Sequence, residues 1–202
     1  MKNWEKNEPG TSMVGQIADL LIRTAFGFFV YALLLRFYMQ WLRAPFRNPV
    51  GQFVTALTDW AVRPARRLVP GLFGVDLASI LIAWFIEALM LVLLYWLKGF
   101  SFAGAPGIAA GLVFTIAAID LVRASLYLLI GVIIVQVIIS WVNPYAPLAP
   151  VFDALTRPFY AVFRRFVPPI GNVDLSPLFV MLLAQILLIL LESVARPIQA
   201  LF

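Results

Sequence analysis

Few side chains in this 202-residue chain can do chemistry, and their spacing sorts them into three groups. Glu87 lies inside an otherwise uncharged apolar run, Leu77 to Leu97, eleven residues past Asp76. On a helix that is roughly 16 Å from Asp76, at about 1.5 Å per residue. A carboxylate at such a depth either moves a proton or ion or ties helices together, because an unpaired charge in hydrocarbon is costly. Arg36, in the preceding apolar run, can snorkel to the nearer surface or reach towards Glu87. The second group is basic: Arg63, Arg66 and Arg67 in one connecting segment, Arg164 and Arg165 in another, suited to lipid phosphate or an acidic partner. The third is the pair Asp76 and Asp174, each just before an apolar run, where a carboxylate accepts from the unpaired N–H groups of a first helical turn. Each also follows a nearby arginine pair, Arg66 and Arg67 or Arg164 and Arg165, and as the partner of that pair can lock its loop to the following helix.

The sequence contains no cysteine and no histidine. That excludes disulfides, zinc sites of the Cys/His kind, His-ligated haem, thiol nucleophiles and triads that need imidazole. No nucleophile, base and orienting group share a motif, so the chain reads as non-enzymatic, with no catalytic residue, no metal and no cofactor. Nothing in the charge pattern points to nucleic acid.

The elements that position these groups are helices in lipid. Hydrophobic residues make up 63% of the chain and charged ones 12%, more apolar side chain than one soluble core of this size can hide. Ile17 to Trp41, Leu77 to Leu97, Leu126 to Trp141 and Pro177 to Leu191 are nearly free of charge. The first two reach the roughly 20 residues needed to span about 30 Å of hydrocarbon, and the others reach it with their flanks. Residues 1–16 form a polar tail, and the apolar run after them is too long for a cleavable signal core, so the first helix is expected to stay in the mature protein.

The chain also repeats itself at an offset of about 98. Leu57 to Ser79 aligns without gaps on Leu155 to Pro177, pairing Thr58 with Thr156, Arg66 and Arg67 with Arg164 and Arg165, Pro70 with Pro168, and Asp76 with Asp174. Upstream, a two-residue shift pairs Arg23 with Arg123, Arg36 with Gln136 and Trp41 with Trp141, and further on Glu87 meets Gln185. The expected organisation is a first repeat over 17–97, a Gly/Ala-rich apolar linker over 98–119, and a second repeat over 120–202. The fold class is therefore all-α: polytopic membrane helices in two tandem helix–loop–helix repeats with amphipathic interfacial loop helices. Short arginine-rich loops resist translocation, so both are expected on the cytoplasmic side, which needs four spans and parallel halves. Phe102 to Ile119 is read as an interfacial or partly inserted helix leading into the third span; were it a span of its own, the halves would be inverted.

Within the loops, Val50, Phe53, Val54, Leu57, Ala61 and Leu68 recur at helical spacing, as do Leu148, Val151, Phe152, Leu155, Phe159, Val162 and Phe166. Such helices form a collar in the lipid interface, with Pro64 and Pro158 expected to bend or end them. Asp19 with Arg23, Asp120 with Arg123, and Glu192 with Arg196 are spaced as ion pairs, placed at the opposite membrane surface. Gln136 and Gln185 are polar positions within spans, the uncharged counterparts of Arg36 and Glu87.

The segments LLLRFYMQWLRAPFRNPVGQFV and RPARRLVPGLFGVDLAS, with IISWVNPYAP and FRRFVPPIGNVDLSP in the second half, resemble the YggT family, known in cyanobacteria and plastids as YlmG, in its doubled form. The resemblance covers nearly everything from Ile17 to Leu191. The first copy departs from the usual Gly-x-Asp-Leu-Ser-Pro with Asp-Leu-Ala-Ser, and the second has Asn172 where glycine is usual. The resemblance implies a multi-pass protein of the bacterial inner membrane, with relatives linked to cell division and nucleoid distribution, to cytochrome assembly in plastids, and to osmotic or potassium stress. It supplies no active site; the matching Arg66, Arg67, Asp76, Arg164, Arg165 and Asp174 are family markers. The function expected is a membrane scaffold or assembly factor whose arginine loops contact lipid and a membrane-protein partner, with a second copy of the chain as a further partner. The alternative is a small transporter or channel component built on Glu87 and Arg36.

Overall fold

The computed structural model describes residues 13–69, 76–100, 104, 106–166 and 174–199. These form six helices and no strand: α1 (Met13–Trp41), α2 (Pro49–Leu68), α3 (Leu77–Leu97), α4 (Pro106–Val142), α5 (Ala149–Arg164) and α6 (Ser176–Gln199). Among the described residues, four helices, α1, α3, α4 and α6, are long and apolar enough to cross a membrane. The chain is thus a multi-pass membrane protein of two helix–loop–helix repeats, as its sequence indicates. Most of the polar tail, together with Pro70 and Pro168, lies outside the described residues.

Local chemistry sets the joints. After α1 the chain turns at Arg43, whose φ of 54° is left-handed. Asn48 then caps α2, its side chain accepting from the Gly51 N–H at 2.9 Å, with Pro49 in the first turn. Gly51 is required there: a Cβ would stand 2.8 Å from Phe46 Cα and 2.9 Å from its carbonyl carbon, both backbone atoms.

One apolar cluster settles the arrangement of the halves. Met39 at the end of α1, Ala44 in the turn and Val132 of α4 pack with Val151 and Leu155 of α5, against Val50 of α2. Both amphipathic helices therefore sit at the same end of the bundle, called here the basic end, and the halves run parallel. Towards the opposite end, Ala88 and Leu91 of α3 pack on Val113, Ile116 and Ala117 of α4. Ile133 of α4 meets Tyr160 of α5 and Val180 of α6, joining the second half to the same long helix.

Two expectations are corrected. The Gly/Ala-rich stretch before Ile119 is no separate interfacial element; from Pro106 on it is the first part of α4, a single 37-residue helix of roughly 55 Å at about 1.5 Å per residue. Gly107 and Gly111 lie within its first two turns and are helical. Nor do the loop prolines end their helices: α2 runs through Pro64 and α5 through Pro158. Both prolines lie on the exposed face, while the opposite face is pinned by buried Val54, Thr58 and Val62 in α2 and by Val151, Leu155 and Tyr160 in α5. That packing outweighs one missing hydrogen bond. The apolar residues of the collar divide between two faces, since Phe53, Trp60, Val162 and Phe166 point outward rather than into the bundle.

Candidate functional site

At the basic end the first repeat builds a knot of charges around Asp76, whose side chain is only 1% exposed. Asp76 caps α3, accepting from the Ser79 hydroxyl at 2.7 Å and from the Ser79 N–H at 3.4 Å. Arg66, from the last turn of α2, donates to it through Nη2 at 2.6 Å and Nε at 3.2 Å, and through Nη2 also to Gln40 of α1 at 2.9 Å. Arg36 enters from α1, buried, with its Nε 3.6 Å from Asp76. Its Nη1 donates to Thr58 and to Asp59 of α2, both at 2.7 Å. Arg63 closes on Asp59 at 2.6 Å. Burial alone would push the Asp76 carboxyl up, but hydrogen bonds from Arg66 and Ser79 and the charges of Arg66 and Arg36 hold it below its ordinary value. Asp59 is held down in the same way by Arg36 and Arg63, against its own burial. Carboxylates so fully engaged are locks, with no capacity left to act as bases.

The second repeat has the lock without the knot. Arg164 donates to Asp174 at 2.6 and 3.0 Å, Asp174 accepts from the Ser176 N–H at 2.9 Å, and Arg164 lies over the Tyr160 ring, 5.8 Å from its centroid. This lock is more open, with the two side chains 50% and 30% exposed. Where Arg36 stands in the first half, half-buried Gln136 accepts from the Tyr160 hydroxyl at 2.9 Å. Asp59 has its repeat counterpart in Arg157, so the second half lacks both members of the buried ion pair and fills the place with a neutral hydrogen bond. Gln185 is exposed on α6 and takes no part in the bundle interior.

Of the five loop arginines singled out by sequence, Arg63, Arg66 and Arg164 are thus engaged within the chain. Arg67 and Arg165 are exposed and make no ion pair among the described residues.

Glu87 belongs to a different place. A cavity of about 200 Å³ between α1, α3 and α4 is lined by Arg23, Tyr31, Glu87, Asp120, Arg123 and Tyr127. Arg36 does not reach it, being spent on Asp59, Thr58 and Asp76. The ion pairs assigned to the opposite surface do form: Asp19 with Arg23 at 2.7 Å, Asp120 with Arg123 at 2.9 Å, Glu192 with Arg196 at 3.2 Å. They are not a separate surface layer, however, because Arg23, Asp120 and Arg123 line the same cavity as Glu87. Arg123 also bridges to Glu192 of α6 at 2.8 Å, a cross-helix contact that no sequence spacing announces. The available signal was the repeat itself, which aligns Arg23 with Arg123 and so places both beside one central cavity once the halves are parallel.

A family model described as CCB3/YggT matches residues 16–97 and again 115–195. The chain is 33% identical over 181 residues to a Vibrio alginolyticus protein described as the uncharacterized protein in the proC 3′ region, covering 89% of this chain and 96% of that one. It is equally, 33%, identical over 181 residues to the uncharacterized protein YggT of Escherichia coli, covering 89% and 90%. An uncharacterized Haemophilus influenzae protein is 25% identical over 150 residues, 74% of this chain and 77% of its own. No solved structure matches. With two successive matches falling on the two helix–loop–helix halves and a third of residues shared with YggT along most of both chains, this protein belongs to the CCB3/YggT family.

Proposed function

We propose that the protein is a non-enzymatic scaffold or assembly factor of the bacterial inner membrane, serving cell division or the biogenesis of a membrane complex, with its basic end as the working surface. The observation that carries this reading is the division of labour among the arginines. In each repeat one arginine of the pair, Arg66 or Arg164, clamps the collar helix to the next span, and its neighbour, Arg67 or Arg165, is left exposed and unpaired among the described residues. Exposed Trp60 and Phe166 stand on the same collar helices or at their ends, at 71% and 78% exposure, as apolar anchors for a membrane interface. A rigid collar with free cations suits anionic headgroups and an acidic protein surface. The arginine bias of both loops favours their lying in the cytoplasm. The transporter alternative loses its Arg36–Glu87 pair, because Arg36 is held at the basic end.

The test separates clamp from contact. A photo-crosslinking residue placed at exposed Gln52 or Asp153 captures the protein partner in living cells, and replacing Arg67 and Arg165 together by Gln abolishes the adduct while membrane insertion stays intact. An undiminished adduct in that double variant refutes the proposal.

A further inference from the structure

The two halves of the chain meet through different faces, so each keeps open the face that the other has used. The seam sets α1 and α3 of the first half against α4 and α5 of the second. It packs Leu33 and Leu34 with Leu121, Ala88 and Leu91 with Val113 and Ile116, and Met39 and Ala44 with Val151 and Leu155. Under the repeat, α1 answers to α4, α2 to α5 and α3 to α6. The counterparts of the two sides of the seam therefore lie on α4 and α6 of the second half and on α1 and α2 of the first, and both are uncovered. Leu91 is 6% exposed and its counterpart Ile189 69%; Leu121 is 7% exposed and its counterpart Leu21 63%. At the collar, buried Val151 answers to exposed Phe53, which packs edge to face with exposed Phe28, the counterpart of Leu128.

Apolar exposure alone does not select a protein occupant, because lipid tails cover any apolar face. Three features of the α4 and α6 face do. Within the chain, Arg23 and Gly27 of α1 and Met90 of α3 line a cavity that α4 completes. Their counterparts Arg123, Tyr127 and Leu188 line a cavity of about 370 Å³ whose walls come from α4 and α6 alone. A further cavity of about 530 Å³, walled by Ile139, Pro144 and Ala149, lies where the first half has Met39 and Ala44 covered by Val151 and Leu155. Gln185, the counterpart of Glu87, is exposed nine residues past Ser176, roughly 14 Å along α6, and a polar side chain at that depth favours hydrogen bonding across helices. We propose that α4 and α6 of one copy receive α1 and α2 of a second copy, repeating between chains the seam that joins the halves within one. Phe28 and Phe53 of the second copy enter the cavity at Ile139 and Pro144. Arg23 of the second copy, half-exposed on α1, comes beside Gln185, as Arg123 shares a cavity with Glu87 within the chain. The contact is heterologous, running head to tail with all copies in one membrane orientation. It holds whether or not the basic end recruits another protein.

Crosslinking between two differently tagged full-length copies in native membranes tests the pairing, since the chain has no cysteine of its own. One copy carries Ala56→Cys, an exposed position whose counterpart Ala154 packs in the seam, and the other carries Ser140→Cys on the wall of the open cavity. Both cysteines are first shown to react with a maleimide, and a short bifunctional thiol reagent is then added. The expected result is an adduct joining the two tags, with little adduct when both tagged copies carry Ala56→Cys or both carry Ser140→Cys. Ile189→Trp, at a position exposed enough for one copy to accommodate it, added to the Ser140→Cys copy, lowers the mixed adduct about tenfold. No mixed adduct from reactive cysteines overturns the proposal, because the two faces then lie against lipid. Like-with-like adducts as abundant as the mixed one, or a mixed adduct undiminished by Ile189→Trp, overturn it equally.

Discussion

Replacing Asp76 by Asn should cost far more stability than the same change at Asp174, although the two positions are repeat equivalents. Asparagine is nearly isosteric and caps a helix as well as aspartate does, so the substitution removes charge while sparing the cap. At Asp76 the lost charge faced Arg66 at 2.6 Å and Arg36 at 3.6 Å, with 1% of the aspartate side chain exposed. Breaking a buried pair from one side leaves the partner uncompensated and costs about 3–5 kcal/mol. Arg66 is 42% exposed and can hydrate, which places the loss near the lower end, about 3 kcal/mol. At Asp174 both partners are substantially exposed, and the loss is about 1 kcal/mol or less. Unfolding in mixed micelles of increasing SDS fraction, followed by tryptophan fluorescence, reads the difference, which is more than a tenfold change in the folding equilibrium. Equal losses in the two variants would refute the reasoning that burial, rather than the repeated motif, sets the strength of the lock. Acid supplies an independent readout. The folded Asp76 carboxyl titrates below its unfolded value near 3.8, so its contribution is fully present above that value and is lost as pH falls through the lower folded one. Stability should hold from neutrality down to about pH 4 and drop below it, and part of this acid limb should vanish in Asp76→Asn.

Three further outcomes follow from particular contacts. Gly51→Ala should destabilise by about 1–3 kcal/mol in the same assay, because the new methyl meets Phe46 backbone rather than a movable side chain. Tyr160→Phe removes the hydroxyl that Gln136 accepts and should cost about 1 kcal/mol with no effect on insertion. The chain has no native cysteine, so single cysteines at exposed Gln52, Asp153 and Lys98 report sidedness in intact cells treated with an impermeant thiol reagent. Lys98 should label and the two collar positions should not; labelling of just one collar position would contradict parallel halves.

What could be read from the residues was whatever is local or repeated. The locks recur at one offset, so the partnership of Asp76 and Asp174 with the neighbouring arginine pairs was visible as a motif, while the fold decides that Arg66 and Arg164 are the members that close. The effect of the loop prolines was misjudged for a physical reason: a proline costs a helix one hydrogen bond and some steric room, and at Pro64 and Pro158 the cost falls on the exposed face while packing of the opposite face holds the helix. The true destination of Arg36 was hidden because both of its acids, Asp59 and Asp76, come from elements that only folding brings beside α1.

The same distinction explains why the central cavity escaped the repeat. Its acids occupy positions that the two halves do not share: Glu87 answers to Gln185 and Asp120 to Leu20. Of the charged groups on its walls, only Arg23 and Arg123 are repeat-related, and they approach it from α1 and α4, which run in the same direction. Duplication of one helix–loop–helix unit therefore supplies two equivalent arginines and two equivalent locks, which fix the collar in both halves. With the basic end secured twice over, the interior need not follow the repeat, and one acid on α3 and one on α4 set against the two equivalent arginines make a single asymmetric cavity rather than a symmetric seam.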